Sequence, residues 1–324
     1  MGALSLPAAA DEGGVSFWLP GTFGSLAAVP QQPGWSFATI FYGTSVSAGR
    51  DVSLSREFRA GRVPAAAQVR GNLSLESDAQ LGMIVPTYVF ATPVLGGQAA
   101  ISLTGFYGRS ATSVSGTIDG ILRTPFGPVP FTRNGASSDS LWGFGDLYPQ
   151  ASLRWSEGAH NFMTYVTGDV PVGAYSSSRL SNIGLGHAAI DAGAGYTYFD
   201  PSTGREFSAV LGATYNFENQ STDYKNGIDL HLDWGVSQFL TKQLQVGLVG
   251  YAYKQVTADS GSADRVGAFK SQVFGVGPQI GYIFPLGHYQ GYLNLKAYKE
   301  FGARHRPEGA NVWLTFSISP PAGG

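Results

Sequence analysis

Between Ile228 and Val236 apolar and polar side chains alternate without a break. Ile228, Leu230, Leu232, Trp234 and Val236 fall on one side of an extended chain, and Asp229, His231 and Asp233 on the other. Successive side chains of a strand point to opposite faces, so this period of two predicts a β-strand with one apolar and one polar face. The pattern recurs: Phe207, Ala209, Leu211, Ala213, Tyr215 and Phe217 oppose Ser208, Gly212, Thr214, Asn216 and Glu218. Leu293, Leu295 and Ala297 oppose Gln290, Asn294, Lys296 and Glu300, and Val312, Leu314, Phe316 and Ile318 oppose Asn311, Trp313, Thr315 and Ser317. Almost no stretch carries a helical period. Read outward from these segments, the chain predicts about 12 strands, near 35–47, 79–92, 97–109, 141–155, 158–171, 187–200, 204–218, 226–241, 243–257, 270–284, 288–303 and 309–318. Each is near or above the roughly 9–11 residues that carry a tilted strand across a bilayer.

The connections sort into two alternating kinds. Short turns fall at Thr92–Gly97, Ser156–Gly158, Asp200–Gly204, Thr241–Gln243 and Pro285–Gly287; longer polar loops fall at 48–78, 110–140, 172–186, 219–225 and 258–269. Short turns on one side and long loops on the other are the asymmetry of a transmembrane antiparallel β-barrel, and a soluble sandwich has no reason to show it. Aromatic residues near the strand ends, Trp35, Trp155, Tyr196, Tyr198, Tyr215, Phe217, Trp234, Phe301 and Phe316, fit girdles at the two membrane interfaces. The expected organisation is an N-terminal segment over 1–34, a barrel over 35–318 and a tail over 319–324.

Composition narrows the choice further. The chain has 324 residues, 13% of them charged, with 45 glycines, no cysteine and a net charge of −2. Without cysteine there is no disulfide framework, Fe–S cluster or thiol nucleophile. No basic block offers a footprint for nucleic acid. Mean hydropathy is −0.01, and no apolar run approaches the roughly 18 residues of a spanning helix. A closed barrel crosses a bilayer at just such an average, because its lipid-facing and lumen-facing residues alternate. The first ten residues lack the basic start and long apolar stretch of a secretory signal. The chain therefore reads as one whose export signal has been removed.

Residues 13–34 are apolar yet broken by glycine and proline, so they predict neither a strand nor a long helix. Such a segment either packs on another surface as a lead-in or enters the barrel lumen and constricts it. Trp18-Leu-Pro-Gly-Thr-Phe-Gly-Ser-Leu-Ala-Ala-Val-Pro30, Pro33-Gly-Trp35, Gly143-Phe-Gly-Asp-Leu147 and the closing Trp313-Leu-Thr-Phe316 together resemble the outer-membrane channels grouped with the meta-pathway of phenol degradation. The resemblance spans nearly the whole chain, and the N-terminal block is its most specific part. It implies a channel in the outer membrane of a Gram-negative bacterium, of a kind often linked to catabolism of aromatic compounds, that passes small hydrophobic molecules. One departure is that Phe316 is followed by Ser317 to Gly324, where such barrels usually end on the aromatic residue.

The candidate chemistry is that of a pore. Trp18, Leu19, Phe23 and Leu26 are the expected constriction, and Tyr251, Tyr253, Tyr292, Tyr298 and Trp313 project to the predicted interior as an aromatic path. Asp229, His231 and Asp233, about 7 Å apart along one strand face, read as a polar lumen wall rather than a metal or hydrolytic site. Pro86 and Pro278 lie within predicted strands, where a missing N–H weakens the ladder and marks a possible lateral exit. Arg50, Arg56, Arg59, Arg62 and Arg70, interleaved with Asp51, Glu57, Glu76 and Asp78, fit a solvated external loop near anionic lipid better than an anion-selective ring. No serine occupies a G-x-S-x-G elbow, and no enzyme, cofactor or metal is expected. The expected partners are a small hydrophobic or aromatic solute, outer-membrane lipid and lipopolysaccharide, with the chain working as a monomer. The alternatives are a general diffusion porin for polar or charged solutes and a closed structural barrel.

Overall fold

A computed structural model of the chain describes residues 16–60, 63–124, 127–261 and 270–321. Twelve strands run in order: β1 (Gly34–Ala60), β2 (Val63–Val89), β3 (Gln98–Thr124), β4 (Gly127–Glu157), β5 (His160–Asp169), β6 (Ala189–Asp200), β7 (Arg205–Asn216), β8 (Asp229–Phe239), β9 (Leu244–Gln255), β10 (Gln272–Leu286), β11 (Tyr289–Arg304) and β12 (Glu308–Ser319). Each strand pairs antiparallel with the one before and after it, and β1 pairs with β12, so the sheet closes into a barrel. Closure runs from Phe37 against Ile318 to Ser47 against Glu308, which puts Phe316 inside the last strand rather than at its end. A closed ladder lets a β-sheet span hydrocarbon, because backbone donors and acceptors are paired within the wall.

The alternation read from the sequence sets the two faces. On β8, Asp229, His231 and Asp233 are buried while Leu230 is 41% exposed on the outside. Ile84, Ile101, Ile190, Leu211, Leu248, Ile280, Leu293 and Leu314 are likewise exposed, a band of aliphatic surface that water would penalise and a bilayer would not. Aromatic contacts flank this band. Towards the short-turn end lie Trp35 on Phe37, Phe162 on Tyr196 and Phe284 on Phe316. Towards the other lie Tyr107 on Phe144, Tyr215 on Phe217 and Phe274 on Phe301. Tyr107, Trp142 and Phe144 thus join the expected girdle.

Two expected loops are strands. The chain over 48–78 continues β1 and β2, which stay paired from Gly34–Val89 to Ala60–Val63, and the chain over 110–140 continues β3 and β4, paired out to Thr124 and Gly127. Serine and glycine made these stretches look like loops. Valine, leucine, isoleucine and threonine recur through them, and each strand supplies a partner for the next. Pairing of β1 with β12 stops at Ser47, and pairing of β4 with β5 starts at Gln150. The first four strands therefore rise beyond the barrel as a sheet, which from Ala48 to Ala60 reaches about 40 Å at roughly 3.3 Å per residue. The side chains of Arg50, Arg56, Arg59 and Arg70, and all of Arg62, lie outside the described residues, as do residues 1–15 of the N-terminal segment and 322–324 of the tail.

Candidate functional site

The segment over 16–33 runs through the barrel interior, and inward-facing polar side chains hold its backbone at successive heights. Near the short-turn end, Gln31 N–H donates to Gln98 Oε1 at 2.7 Å and the Gln98 amide donates back to the Gln31 carbonyl. Higher up, Ala28 N–H donates to Thr197 Oγ1 at 3.1 Å, Leu26 N–H donates to Glu206 Oε1 at 2.9 Å, and Arg154 reaches the Ala27 carbonyl. Leu26 takes a φ of 64°, a left-handed conformation unusual for a leucine. The Glu206 bond and the turn bond from Val29 N–H to the Leu26 carbonyl hold it there. Glu206 is itself held by Ser208 and Ser237 hydroxyls.

The tightest grip falls on Gly21 and Phe23. Asp233 on β8 accepts the Gly21 N–H on one carboxylate oxygen and the Phe23 N–H on the other, each at 3.0 Å. Lys296 on β11 donates to the carbonyls of the same two residues, at 2.6 and 3.2 Å. One anion and one cation thus satisfy both sides of a single turn, which offsets the cost of burying each charge. Gly21 has a φ of +91°, and a Cβ there would stand 3.0 Å from the Tyr298 ring. Glycine is needed on both counts. Sequence reasoning placed Lys296 on the polar face of its strand without a role. Glu206, Thr197 and Arg154 carry no signal in the sequence apart from facing inward.

The apolar side chains of the segment face aromatic walls. Trp18 stacks on His231, with centroids 3.8 Å apart and planes at 13°, and Phe23 lies 5.2 Å from the Tyr165 ring. Leu19 packs against the buried cluster containing Tyr42, Tyr251, Tyr298 and Trp313. Phe17 meets Tyr148 edge-on at 5.0 Å and clusters with Leu185. Leu185 belongs to the connection between β5 and β6, which folds inward because Asp146 accepts its N–H and that of Gly173, both at 2.7 Å. The N-terminal segment and this connection therefore meet inside the barrel.

Four of the five expected path residues, Tyr251, Tyr253, Tyr298 and Trp313, share one buried cluster with Tyr42. Tyr251 and Tyr298 touch at 4.9 Å and Tyr42 joins Trp313 at 4.6 Å, a column on β1, β9, β11 and β12. At the edge of the same cluster, Tyr253 also lies under the Arg306 guanidinium at 5.1 Å. Tyr292 lies apart from the cluster and bonds Gln245 on β9, across the intervening β10. In the polar wall, Asp229 takes the Asn216 amide at 2.9 Å, His231 pairs with Asp191 at 2.8 Å, and Asp233 holds the segment described above. At Pro86 the β2–β3 ladder runs to Ile84–Gly105 and resumes at Thr87–Ser102. At Pro278 the β10–β11 ladder runs to Val276–Lys299 and resumes at Gln279–Lys296. On their other sides both prolines stay in register, with Phe37 and Leu248.

Fold and site together define a transmembrane β-barrel whose lumen is occupied by its own N-terminal segment. The chain belongs to the family described as the putative MetA-pathway of phenol degradation, whose model matches residues 59–316. No curated protein matches the sequence. The fold is similar to that of an outer-membrane channel from Pseudomonas putida F1, at a TM-score of 0.62 and 11% identity over 90% of this chain and 96% of that one. A FadL homologue from Pseudomonas aeruginosa aligns at a TM-score of 0.40 and 9% identity over 88% of this chain and 89% of that one.

Proposed function

We propose that this protein is an outer-membrane channel of a Gram-negative bacterium through which small hydrophobic, chiefly aromatic, compounds diffuse passively, one chain forming one channel. The observation that carries this reading is the division of labour along residues 16–33: polar wall groups hold the backbone, while Trp18, Leu19 and Phe23 meet aromatic rings. A route lined this way favours apolar solutes. A wide water-filled route for sugars and ions is disfavoured by the same segment, which makes a general porin the weaker alternative. Lipopolysaccharide and lipid surround the barrel and slow apolar solutes, which is the barrier such a channel relieves.

Reconstitution in planar bilayers and sugar-permeation assays in proteoliposomes test the reading. The intact protein conducts ions weakly and leaves sugar entry at the protein-free rate; steady, large conductance with rapid sugar entry would make it a general porin.

Lateral release at the ladder interruptions beside Pro86 and Pro278 belongs to the same proposal. Replacing either proline with valine restores an N–H donor, and the extra interstrand bond slows aromatic uptake by about twofold or more if solute leaves there. Unchanged uptake in both folded variants would leave the periplasmic mouth as the exit.

A further inference from the structure

Trp18 sits as an aromatic guest in a slot whose walls are barrel strands, with Phe23 of the seated Gly21–Phe23 turn on one side. His231 covers one indole face, Tyr165 lies 6.0 Å away and Phe23 5.6 Å away, and Met163 and Val210 complete the surround. The slot walls are fixed by one carboxylate. Asp191 pairs with His231 Nε2 at 2.8 Å, accepts the Tyr165 hydroxyl at 2.7 Å, and accepts the Thr214 hydroxyl as well. Gly212 lies opposite His231 on β7, and its missing Cβ is what lets the imidazole lie against that strand. Such a slot is preorganised, because its shape depends on strands and on Asp191 rather than on the indole.

The guest fits it imperfectly. The indole is held by its ring faces, yet its Nε1–H is buried and has no acceptor. Burying an unpaired donor costs free energy that a ring of the same shape without the donor does not pay. The indole itself is held by ring contacts alone, while the backbone on either side of it is anchored. Phe17 packs on Tyr148, Leu19 joins the Tyr251 cluster, and the Leu19 carbonyl accepts the Thr22 N–H and hydroxyl. Displacement is therefore a rotation of the Trp18 side chain about its own χ angles, with the segment left seated by the Asp233–Lys296 grip.

We propose that this slot binds the aromatic solute during passage, and that Trp18 is a built-in competitor which a flat, apolar aromatic of about bicyclic size displaces. The proposal rests on reading the lumen as a path for aromatic compounds, and it narrows the substrate class to rings without a polar edge. Naphthalene is the matching probe. Indole repeats the orphaned donor and binds about fivefold or more weakly. Decalin has similar bulk but no π face to stack on His231, so it displaces little.

The test uses the full chain in detergent micelles with its six tryptophans replaced biosynthetically by 5-fluorotryptophan. Trp18→Phe identifies the Trp18 fluorine resonance. On titration with naphthalene the Trp18 signal shifts saturably, with indole weaker and decalin without effect. Trp35 and Trp142, each 58% exposed on the lipid-facing side, report plain partitioning into the micelle. Movement of those two signals with a fixed Trp18 signal would overturn the proposal, as would decalin matching naphthalene. Aromatic uptake by cells separates the two readings. Rapid uptake with an immobile Trp18 signal removes the slot and keeps the channel; displacement of Trp18 without any uptake keeps the slot and removes the channel.

Discussion

Deletion of residues 16–33 raises single-channel conductance by about tenfold or more, because a twelve-strand barrel is wider than the eight-strand size that side chains alone fill. The barrel itself survives the deletion, since closure rests on β1 paired with β12 from Phe37–Ile318 to Ser47–Glu308 and, among the described residues, the segment's side-chain bonds go to other strands. The groups that held the segment then face water. Asp191, Glu206, Asp229, Asp233 and Glu300 outnumber Lys296 and Arg154 among the buried inward charges, so the opened pore prefers cations. Reversal potentials across a salt gradient check the selectivity. An unchanged conductance in a correctly folded deletion would mean that the segment does not limit the pore.

Asp233→Ala is the most damaging single substitution in the lumen. It removes two charge-assisted hydrogen bonds from the Gly21–Phe23 turn and leaves the Lys296 ammonium without a nearby counter-charge. Losses of this kind run to about 3–5 kcal/mol. Most of that falls on the seating of the segment rather than on the wall, because both hydrogen bonds of the Asp233 carboxylate go to the segment. The expected signs are flickering openings in bilayer recordings and cleavage within residues 16–33 by added protease, with the barrel still folded by heat-modifiability on gels. The double variant Asp233→Ala with Lys296→Met is less disturbed than the sum of the two singles, since no unpaired charge remains. Strict additivity would show that the two side chains act separately.

Much of this architecture is legible in the chain because a barrel wall is a local pattern repeated. The run from Ile228 to Val236 declares its faces without help from any other strand, and the structure places Asp229, His231 and Asp233 inside and Leu230 outside. What each inward residue meets is a different matter. Asp233 and Lys296 look alike in sequence terms to Asp229 and Asn294, all of them polar and on alternating positions. Only the register of twelve strands and the height of one turn of the N-terminal segment decide that the first two grip Gly21 and Phe23. The stretches over 48–78 and 110–140 were opaque for a third reason: strands that rise past the membrane have no lipid to face, so their alternation is too weak to tell from a polar loop.

Passive entry of small aromatic compounds is read out by uptake of radiolabelled naphthalene into cells that lack their own channel, with and without this protein in the outer membrane, against a sugar of similar size. A channel of this kind speeds naphthalene entry and leaves sugar entry unchanged; faster sugar entry, or no change in either, would rule out a hydrophobic channel.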